Sequence, residues 1–202
     1  MAIQTNQMLS NPRLPSEASA LLKSLRGRRI KRMVRVLACD PQYLVDTLAI
    51  REQQLFALGY GPLLIQFDDG RVLGLGEDGK RLSVLVWQDI DSVIDANHIK
   101  LGSAYEGSMS IDCEDSRFSE PHWAGYLEQD VVQVRILQFT RGDSAYMAER
   151  YPNQRGILLT VATGAELLIS REIRTDGPAH LTITNEATLS DELRGKLIDH
   201  LP

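Results

Sequence analysis

Cysteine is scarce in this chain. This argues against a small protein that is stabilised by disulfide bonds and against one that is stabilised by a bound metal. The 202 residues contain only Cys39 and Cys113, which are far apart and form no C-x-x-C motif. We therefore expect neither a disulfide framework nor a zinc knuckle. No apolar run approaches the roughly 20 residues needed to cross a bilayer. The first residues also lack a basic region followed by an apolar core, so we expect no secretory signal and a location in a reducing cytoplasm.

Aromatic residues are also few, at 6% of the chain, and the net charge is −5. Both facts leave little material for base stacking or phosphate binding, so nucleic acid is not an expected partner despite the basic run RGRRIKRMVR. The charge is unevenly divided. Residues 1–60 hold nine Lys/Arg and four Asp/Glu, a net of +5, whereas residues 61–130 hold five and fourteen, a net of −9. This division predicts a bipolar surface, which affects partner choice and encounter rate.

A glycine spacing typical of dinucleotide sites occurs at Gly74, Gly76 and Gly79. That fingerprint needs a strand before the glycines and a helix after them, because the helix N-terminus meets the phosphates. Here the run KRLSVLVW follows, which is typical of a strand, and the carboxylates of Glu77 and Asp78 would repel a phosphate. We therefore predict a strand and a turn at this place, and no dinucleotide site.

Capping residues predict short helices near both ends of the chain. Ser16 is placed to cap a helix over about 17–25. Asp40, followed by proline, is a typical start for helical structure that ends near Gly59. The tail SDELRGKLIDHLP predicts a last helix capped by Ser190, since its leucines recur at helical spacing.

Alternating apolar residues predict strands between these helices. Val34 and Val36 alternate with Arg35, which indicates a strand with a buried face and a face in water. Asp69 and Gly70 are a strong signal for a two-residue hairpin turn, because glycine accepts a positive φ. The apolar side chains expected on the inner side of that hairpin are Leu63, Ile65, Phe67, Leu73 and Leu75.

This strand pattern recurs about 100 residues later in the chain. Residues 34–37 overlay residues 134–137, and residues 62–75 overlay residues 156–169. The echo predicts an α+β fold of two similar β-rich halves, each a strand, a helical connection, a β-hairpin and a strand, with short helices at both ends. Chance similarity between alternating strands is the alternative. The expected segments are a flexible tail at 1–15, a first half at 16–88, an acidic connecting loop at 89–121 and a second half at 122–202. The residues expected to be buried in the second half, as Val34, Val36, Leu63, Ile65 and Phe67 are in the first, are Val134, Ile136, Ile157, Leu159 and Val161.

Catalytic and metal-binding patterns do not emerge from the sequence. None of the four histidines lies in an H-E-x-x-H motif or in a regular His/Cys spacing. Asp112, Cys113, Glu114, Asp115 and His122 could hold a metal on composition alone, but a solvated acidic loop is the simpler interpretation. No serine lies in a G-x-S-x-G motif. We predict no catalytic residue, no metal and no cofactor, and hence a protein that is not an enzyme.

The stretch from residue 89 to residue 120 concentrates carboxylates and interleaves them with aromatic residues. Such a stretch complements a basic cleft on a partner and accelerates encounter with it. Trp87, just before it, is expected in the core. The predicted partner-binding residues are Asp89, Asp91, Asp95, Tyr105, Glu106, Asp112, Glu114, Asp115, Phe118 and Glu120.

The runs GYGPLLIQFDDGRVLGL and SVLVW, with the strand and helix before them, resemble bacterial immunity proteins encoded beside polymorphic or contact-delivered toxins. The resemblance covers roughly residues 24–88 and contains no catalytic motif. It implies an immunity-type protein that binds one cognate toxin and blocks its active site or its movement. The alternative is a β-rich small-ligand binding or sensing domain with a pocket between the halves. The sequence leaves the oligomeric state open.

Overall fold

Strands and short helices combine in an α+β fold. The computed structural model describes residues 11–78, 83–94, 99–139, 154–171, 181–184 and 197–200. The helices are α1 (Ser19–Lys23), α2 (Pro41–Leu48) and α3 (Leu55–Leu58), with 3-10 turns at Glu52–Gln54, Ser103–Tyr105 and Pro121–Tyr126. The strands are β1 (Ile30–Leu37), β2 (Leu63–Phe67), β3 (Val72–Asp78), β4 (Ser83–Asp89), β5 (Val93–Ile94), β6 (Ile99–Lys100), β7 (Met109–Asp112), β8 (Val131–Phe139), β9 (Gln154–Val161), β10 (Glu166–Arg171), β11 (Leu181–Thr184) and β12 (Leu197–His200).

These strands form two five-stranded antiparallel sheets and one small ribbon. The first sheet has the order β4-β3-β2-β1-β7, and the second has the order β11-β10-β9-β8-β12. Among the described strands, β5 and β6 pair only with each other. One hydrophobic cluster contains side chains from both sheets, among them Met33 and Ile65 of the first and Val134 and Leu159 of the second. The main core therefore lies between the sheets.

The two sheets are joined at a corner where the start of β1 meets the start of β8. Four backbone hydrogen bonds make this junction, with N···O distances of 2.7 to 3.0 Å: Gly27 N to Val131 O, Glu128 N to Ile30 O, Val131 N to Arg28 O, and Ile30 N to Gln129 O. Gly27 and Glu128 both have positive φ, at 75° and 60°. Backbone pairing at this corner fixes how one sheet lies against the other.

Several local predictions are confirmed. The Asp40 carboxylate caps α2 by accepting hydrogen bonds from the N–H groups of Gln42 and Tyr43, at 2.8 and 3.2 Å. The β2–β3 hairpin and the positive φ of Gly70, 81°, are confirmed, but the turn contains three residues, 68–70, and not two, since the Phe67 N–H donates to the Arg71 carbonyl across it. All of the strand residues predicted to be buried are buried. They are Val34, Val36, Leu63, Ile65, Phe67, Leu73, Leu75, Val134, Ile136, Ile157, Leu159 and Val161.

The prediction of a wet face on β1 is wrong. Val34 and Val36 pack on the outer side of the first sheet, against Ile94 of the β5–β6 ribbon. Because side chains alternate along a strand, Arg35 then points to the main core, where it is completely buried. From Met33 to Leu37 the strand is covered on both faces, so Arg35 has no access to water.

The prediction of a C-terminal helix is also wrong within the described residues. Leu197–His200 form β12, which pairs antiparallel with β8. A short isolated helix is marginal in water, whereas the open edge of β8 offers unpaired N–H and C=O groups that a strand satisfies. The rest of the predicted helix lies outside the described residues.

The N-terminal segment is attached to the fold earlier than the sequence predicts. Arg13 exchanges two backbone hydrogen bonds with Val86 on the edge of β4, at 2.9 and 2.8 Å, and Leu14 is buried. Helix α1 is shorter than predicted. Ser16 does not cap it: its N–H donates to the Gln154 side chain, and its hydroxyl accepts from that side chain. Residues 1–10 of the predicted tail lie outside the described residues.

The ion pairs do not support the prediction of a bipolar surface. Five cations of residues 1–60 pair with carboxylates of residues 61–130, because β1 and the loops beside it adjoin the acidic segments. The pairs are Arg28 with Asp69, Arg29 with Asp130, Lys31 with Glu128, Arg32 with Asp112, and Arg51 with Glu120. Much of the charge separated along the chain is thus brought together in space.

Candidate functional site

The acidic segment predicted to be a connecting loop is an ordered crossing of the first sheet. It leaves the edge strand β4, passes over the outer face of the sheet as the β5–β6 ribbon, and returns as β7 on the opposite edge. Ile94, Ile99 and Leu101 of this crossing pack on the outer-face cluster that contains Val34 and Leu64. Strand β7 pairs with β1. Residues 89–94 and 99–112 are therefore part of the sheet architecture, which corrects the expectation of a loop there.

A buried carboxylate organises the start of the crossing. The Asp89 side chain accepts hydrogen bonds from the N–H of Asp91 at 3.1 Å, the N–H of Ser92 at 2.8 Å and the Ser92 hydroxyl at 3.1 Å. The Ser92 hydroxyl in turn accepts from the Gly102 N–H at 2.9 Å. These bonds hold the two arms of the crossing together.

Tyr105 ties the same carboxylate to the sheet. Its hydroxyl donates to Asp89 and accepts from the indole N–H of Trp87. Burial, followed by the charge of Asp89, raises the pKa of Tyr105 above its ordinary value, so the phenol remains protonated at neutral pH. Asp89, Tyr105 and Trp87 thus form one network between β4 and the crossing.

Trp87 also explains the glycine spacing that resembles a dinucleotide fingerprint. Gly74 and Trp87 are cross-strand partners on β3 and β4. A Cβ atom added to Gly74 would lie 2.1 Å from the indole Cε2, and one added to Gly76 would lie 3.2 Å from ring carbons. The strand after these glycines is present as predicted, and the indole rests on their backbone. The half-buried Trp87 therefore packs on the outer face and not in the main core where it was expected.

The crossing exposes two aliphatic side chains that sequence reasoning missed. Ile90 is 52% exposed and Val93 is 53% exposed. Asp91, which lies between them in the chain, and Glu106, on the returning arm of the crossing, are exposed acids. Lys100 pairs with Val93 in the ribbon and is also exposed. The only sequence signal for these residues is the alternation of acids and aliphatics in DIDSVID.

Three predicted residues near β7, Asp112, Asp115 and Phe118, take part in local ion pairs, hydrogen bonds or packing. Asp112 pairs with Arg32 across the outer face, and both side chains are mostly buried. Asp115 accepts hydrogen bonds from the N–H groups of Arg117 and Phe118. The Phe118 ring is buried beneath the Arg117 guanidinium, 4.7 Å from the ring centroid.

The remaining predicted residues differ in environment. Glu120 pairs with Arg51 at 2.9 Å and lies 3.6 Å from His122 Nδ1, whereas Glu114 is exposed. Asp95 lies outside the described residues. The structure therefore separates the nine described residues into a β4-side group (Asp89, Asp91, Tyr105 and Glu106) and a β7-side group (Asp112, Glu114, Asp115, Phe118 and Glu120).

Within the described part of the chain, no group of three or more His, Cys, Asp and Glu side chains is arranged to hold a metal ion. Cys113, named in the sequence as one member of such a group, is buried in the main core. Burial, with help from Asp112, raises the pKa of its thiol to about 12. Such a thiol is a poor nucleophile and a poor metal ligand at neutral pH.

Comparison with known proteins adds no relative. No protein-family model, curated protein or solved structure matches this chain. Among the described residues, none of the helices is both long and apolar enough to span a bilayer.

Proposed function

We propose that this chain is a non-catalytic, cytoplasmic binding protein of the immunity type, which neutralises a cognate bacterial toxin by covering a basic active-site cleft. The observation that carries the proposal is the ordered crossing of the first sheet. The Asp89, Ser92 and Tyr105 network fixes its backbone, and it still exposes aliphatic and acidic side chains. A surface that is ordered before binding loses little conformational entropy in a complex, which favours tight inhibition.

The test is neutralisation of the protein encoded by an adjacent reading frame. We expect that product to arrest growth when it is expressed alone, and co-expression of this chain to restore growth. The purified proteins should elute as a stoichiometric complex. A complex without any toxic activity, or toxicity that this chain does not relieve, would contradict the proposal.

One observation favours the alternative, a small-ligand binding domain. The Ser119 hydroxyl and the Trp123 indole N–H are buried and have no hydrogen-bond partner among the described residues. The Trp123 ring lies near the aromatic rings of Phe56 and Tyr126. Native mass spectrometry of the purified chain decides between the two functions, since a metabolite bound at one per chain would support the ligand-binding alternative.

We also propose that the two β-rich halves, residues 16–88 and 122–202, descend from one ancestral unit. Adding 101 to the residue numbers of β1 aligns that strand with β8. Adding 94 to the residue numbers of the β2–β3 hairpin aligns it with the β9–β10 hairpin. Under that alignment, the hydrogen bond from Gly27 N to Val131 O corresponds to the hydrogen bond from Glu128 N to Ile30 O. The β-bulge after Ile30 likewise maps on the bulge after Val131. The two sheet orders correspond strand for strand, with β7 opposite β12.

This alignment differs by one residue from the overlay that the sequence favours in the first strand. It places Arg35 opposite Ile136, and not opposite Arg135. The buried arginine would then be a change introduced into one half after duplication.

A further inference from the structure

We propose that the docking surface lies on the β4 side of the crossing alone. We define this surface as Ile90, Asp91, Val93 and Glu106 and call it the 90–106 patch. Its occupant is a protein surface that carries aliphatic side chains surrounded by lysine or arginine. The proposal rests on the proposed function, since it names the part of the crossing that would meet the toxin and the chemistry of the surface it would meet.

The apolar part of the patch is held outward by the fold. Ile94 is buried in the outer-face cluster, and successive side chains of a strand point to opposite sides. Val93 must therefore point away from the sheet, and Ile90 stands three residues before it at the turn that Asp89 organises. Two large aliphatic side chains, each more than half exposed and so close in sequence, mark a contact surface better than scattered single ones.

The charged part of the patch determines which charge the partner surface should carry. Asp91 and Glu106 form no ion pair with any described residue, in contrast to Asp112 and Glu120 of the β7-side group. A Cβ atom at Gly102 would lie 2.6 Å from the Asp91 Cβ, so the arm that carries Glu106 touches the arm that carries Asp91. Exposed carboxylates on both arms of the crossing, together with two exposed aliphatic side chains, fit a surface with apolar residues and cations.

Lys100 makes the charge distribution around the patch asymmetric. It lies opposite Val93 in the ribbon and is exposed on the same side. A partner cation is therefore favoured near Asp91 and Glu106 and disfavoured near Lys100. This asymmetry separates specific docking from general attraction to an acidic protein.

The experiment uses the full chain and a fluorescent 14-residue amphipathic peptide of leucine and lysine as the probe. Fluorescence anisotropy should show binding to the parent chain at low ionic strength. We expect the Ile90→Ser/Val93→Ser double variant to bind about tenfold more weakly, the size of effect that marks an interface anchor. The Asp91→Asn/Glu106→Gln double variant should also bind more weakly, with a deficit that shrinks at 0.5 M salt. Lys100→Gln should bind more tightly.

Matched controls lie elsewhere on the surface. Tyr43 is 62% exposed and Glu114 is an exposed acid of the β7-side group, so Tyr43→Ser and Glu114→Gln should bind the peptide as the parent does. Circular dichroism on all variants checks that each is folded. No binding to the parent chain, or equal binding by the Ile90→Ser/Val93→Ser variant, would overturn the proposal. Loss of a parent homodimer in that variant would also overturn it, because the occupant would then be a second copy.

The outcome is separable from that of the growth assay. If growth is not restored but the peptide discriminates among the variants, the toxin proposal fails and the docking surface stands. If growth is restored by the Ile90→Ser/Val93→Ser variant as well as by the parent, and the peptide does not discriminate, the neutralising function stands and the patch is not its contact.

Discussion

At the scale of single residues, Arg35 is the most unusual group in the molecule. Its guanidinium has no carboxylate within ion-pair distance among the described residues. Instead it donates to backbone carbonyl groups of Phe56 at 3.0 Å, Gly61 at 3.0 Å, Ala57 at 3.2 Å and Leu181 at 3.2 Å. Leu181 belongs to the second sheet, so the side chain joins helix α3, the turn before β2, and β11. Burial lowers the pKa of Arg35 to about 9, because the charged guanidinium loses its hydration in the core.

We predict that Arg35→Met lowers the free energy of unfolding by about 2–4 kcal/mol, since carbonyl groups that lose their donor in a dry site each cost 1–3 kcal/mol. The loss exceeds the gain from removing the buried charge, because the carbonyls stay behind. Urea denaturation measures the difference. Arg29→Met is the matched control. Its pair with Asp130 is exposed to solvent, so the change should leave the free energy of unfolding nearly unaltered. Arg35→Met with parental stability would show that the carbonyls find other donors.

Cys113 predicts a dependence of stability on alkaline pH. Its folded pKa, about 12, is higher than the ordinary thiol value of 9.0. Below pH 9 both states hold the proton and the stabilisation is complete. Between pH 9 and pH 12 only the unfolded state releases it, so the free energy of unfolding falls with pH, by at most about 1.4 kcal/mol for each pH unit. We expect Cys113→Ala to be less stable than the parent at pH 8 and to show a shallower decline above pH 9, measured by denaturant titration at each pH. Parallel declines would contradict the pKa shift.

At the scale of elements, the β3–β4 pair shows how a sequence motif can have a structural cause. The glycines leave room for one indole, and the Trp87 N–H in turn donates to Tyr105. Their spacing is therefore explained by packing, and no phosphate ligand is needed.

We predict that Gly74→Ala destabilises the protein by about 1–3 kcal/mol, the usual cost of overpacking a filled site. In the Trp87→Ala background the same change should cost much less, because the clashing ring is gone; a double-mutant cycle in urea measures this coupling. Gly76→Ala, whose Cβ would lie 3.2 Å from the ring, is the milder comparison. Additive effects of Gly74→Ala and Trp87→Ala would mean that the ring moves aside. Titration of NAD and ATP into the parent chain should show no binding.

At the scale of the whole molecule, the proposed relation between the two halves can be tested through the energy of their turns. Gly70 and Gly164 occupy matching turns with φ values of 81° and 82°, and a Cβ at either would meet nothing within 4 Å. The cost of a side chain at either position therefore comes from the backbone alone.

We predict that Gly70→Ala and Gly164→Ala each lower the free energy of unfolding by about 1–2 kcal/mol, the cost of a left-handed conformation for an L-residue. Gly125→Ala is the control, since that glycine has no positive φ and open space around it. Thermal and urea unfolding measure all three variants. Costs that differ between Gly70 and Gly164 by more than the control's effect would show that the halves do not share one energetic design.

The sequence by itself determined the local elements whose causes are local. Asp40 caps a helix because its carboxylate reaches N–H groups two and three residues ahead. Gly70 turns a hairpin because only glycine accepts that φ without cost, and the alternation from Leu63 to Phe67 defines a buried face. The α+β class and the absence of a helix after Gly76 follow from the same short-range patterns.

The tertiary structure decided everything that depends on what covers a strand or completes an edge. Arg35 is buried because the β5–β6 ribbon covers the other face of β1, and that packing is invisible in the local alternation. Leu197–His200 are a strand because β8 has a free edge, which outweighs a weak helical preference. The acids from residue 89 to residue 120 fall into two groups because the chain crosses the sheet between them. Their ion pairs, and the exposure of Ile90 and Val93, are consequences of that path.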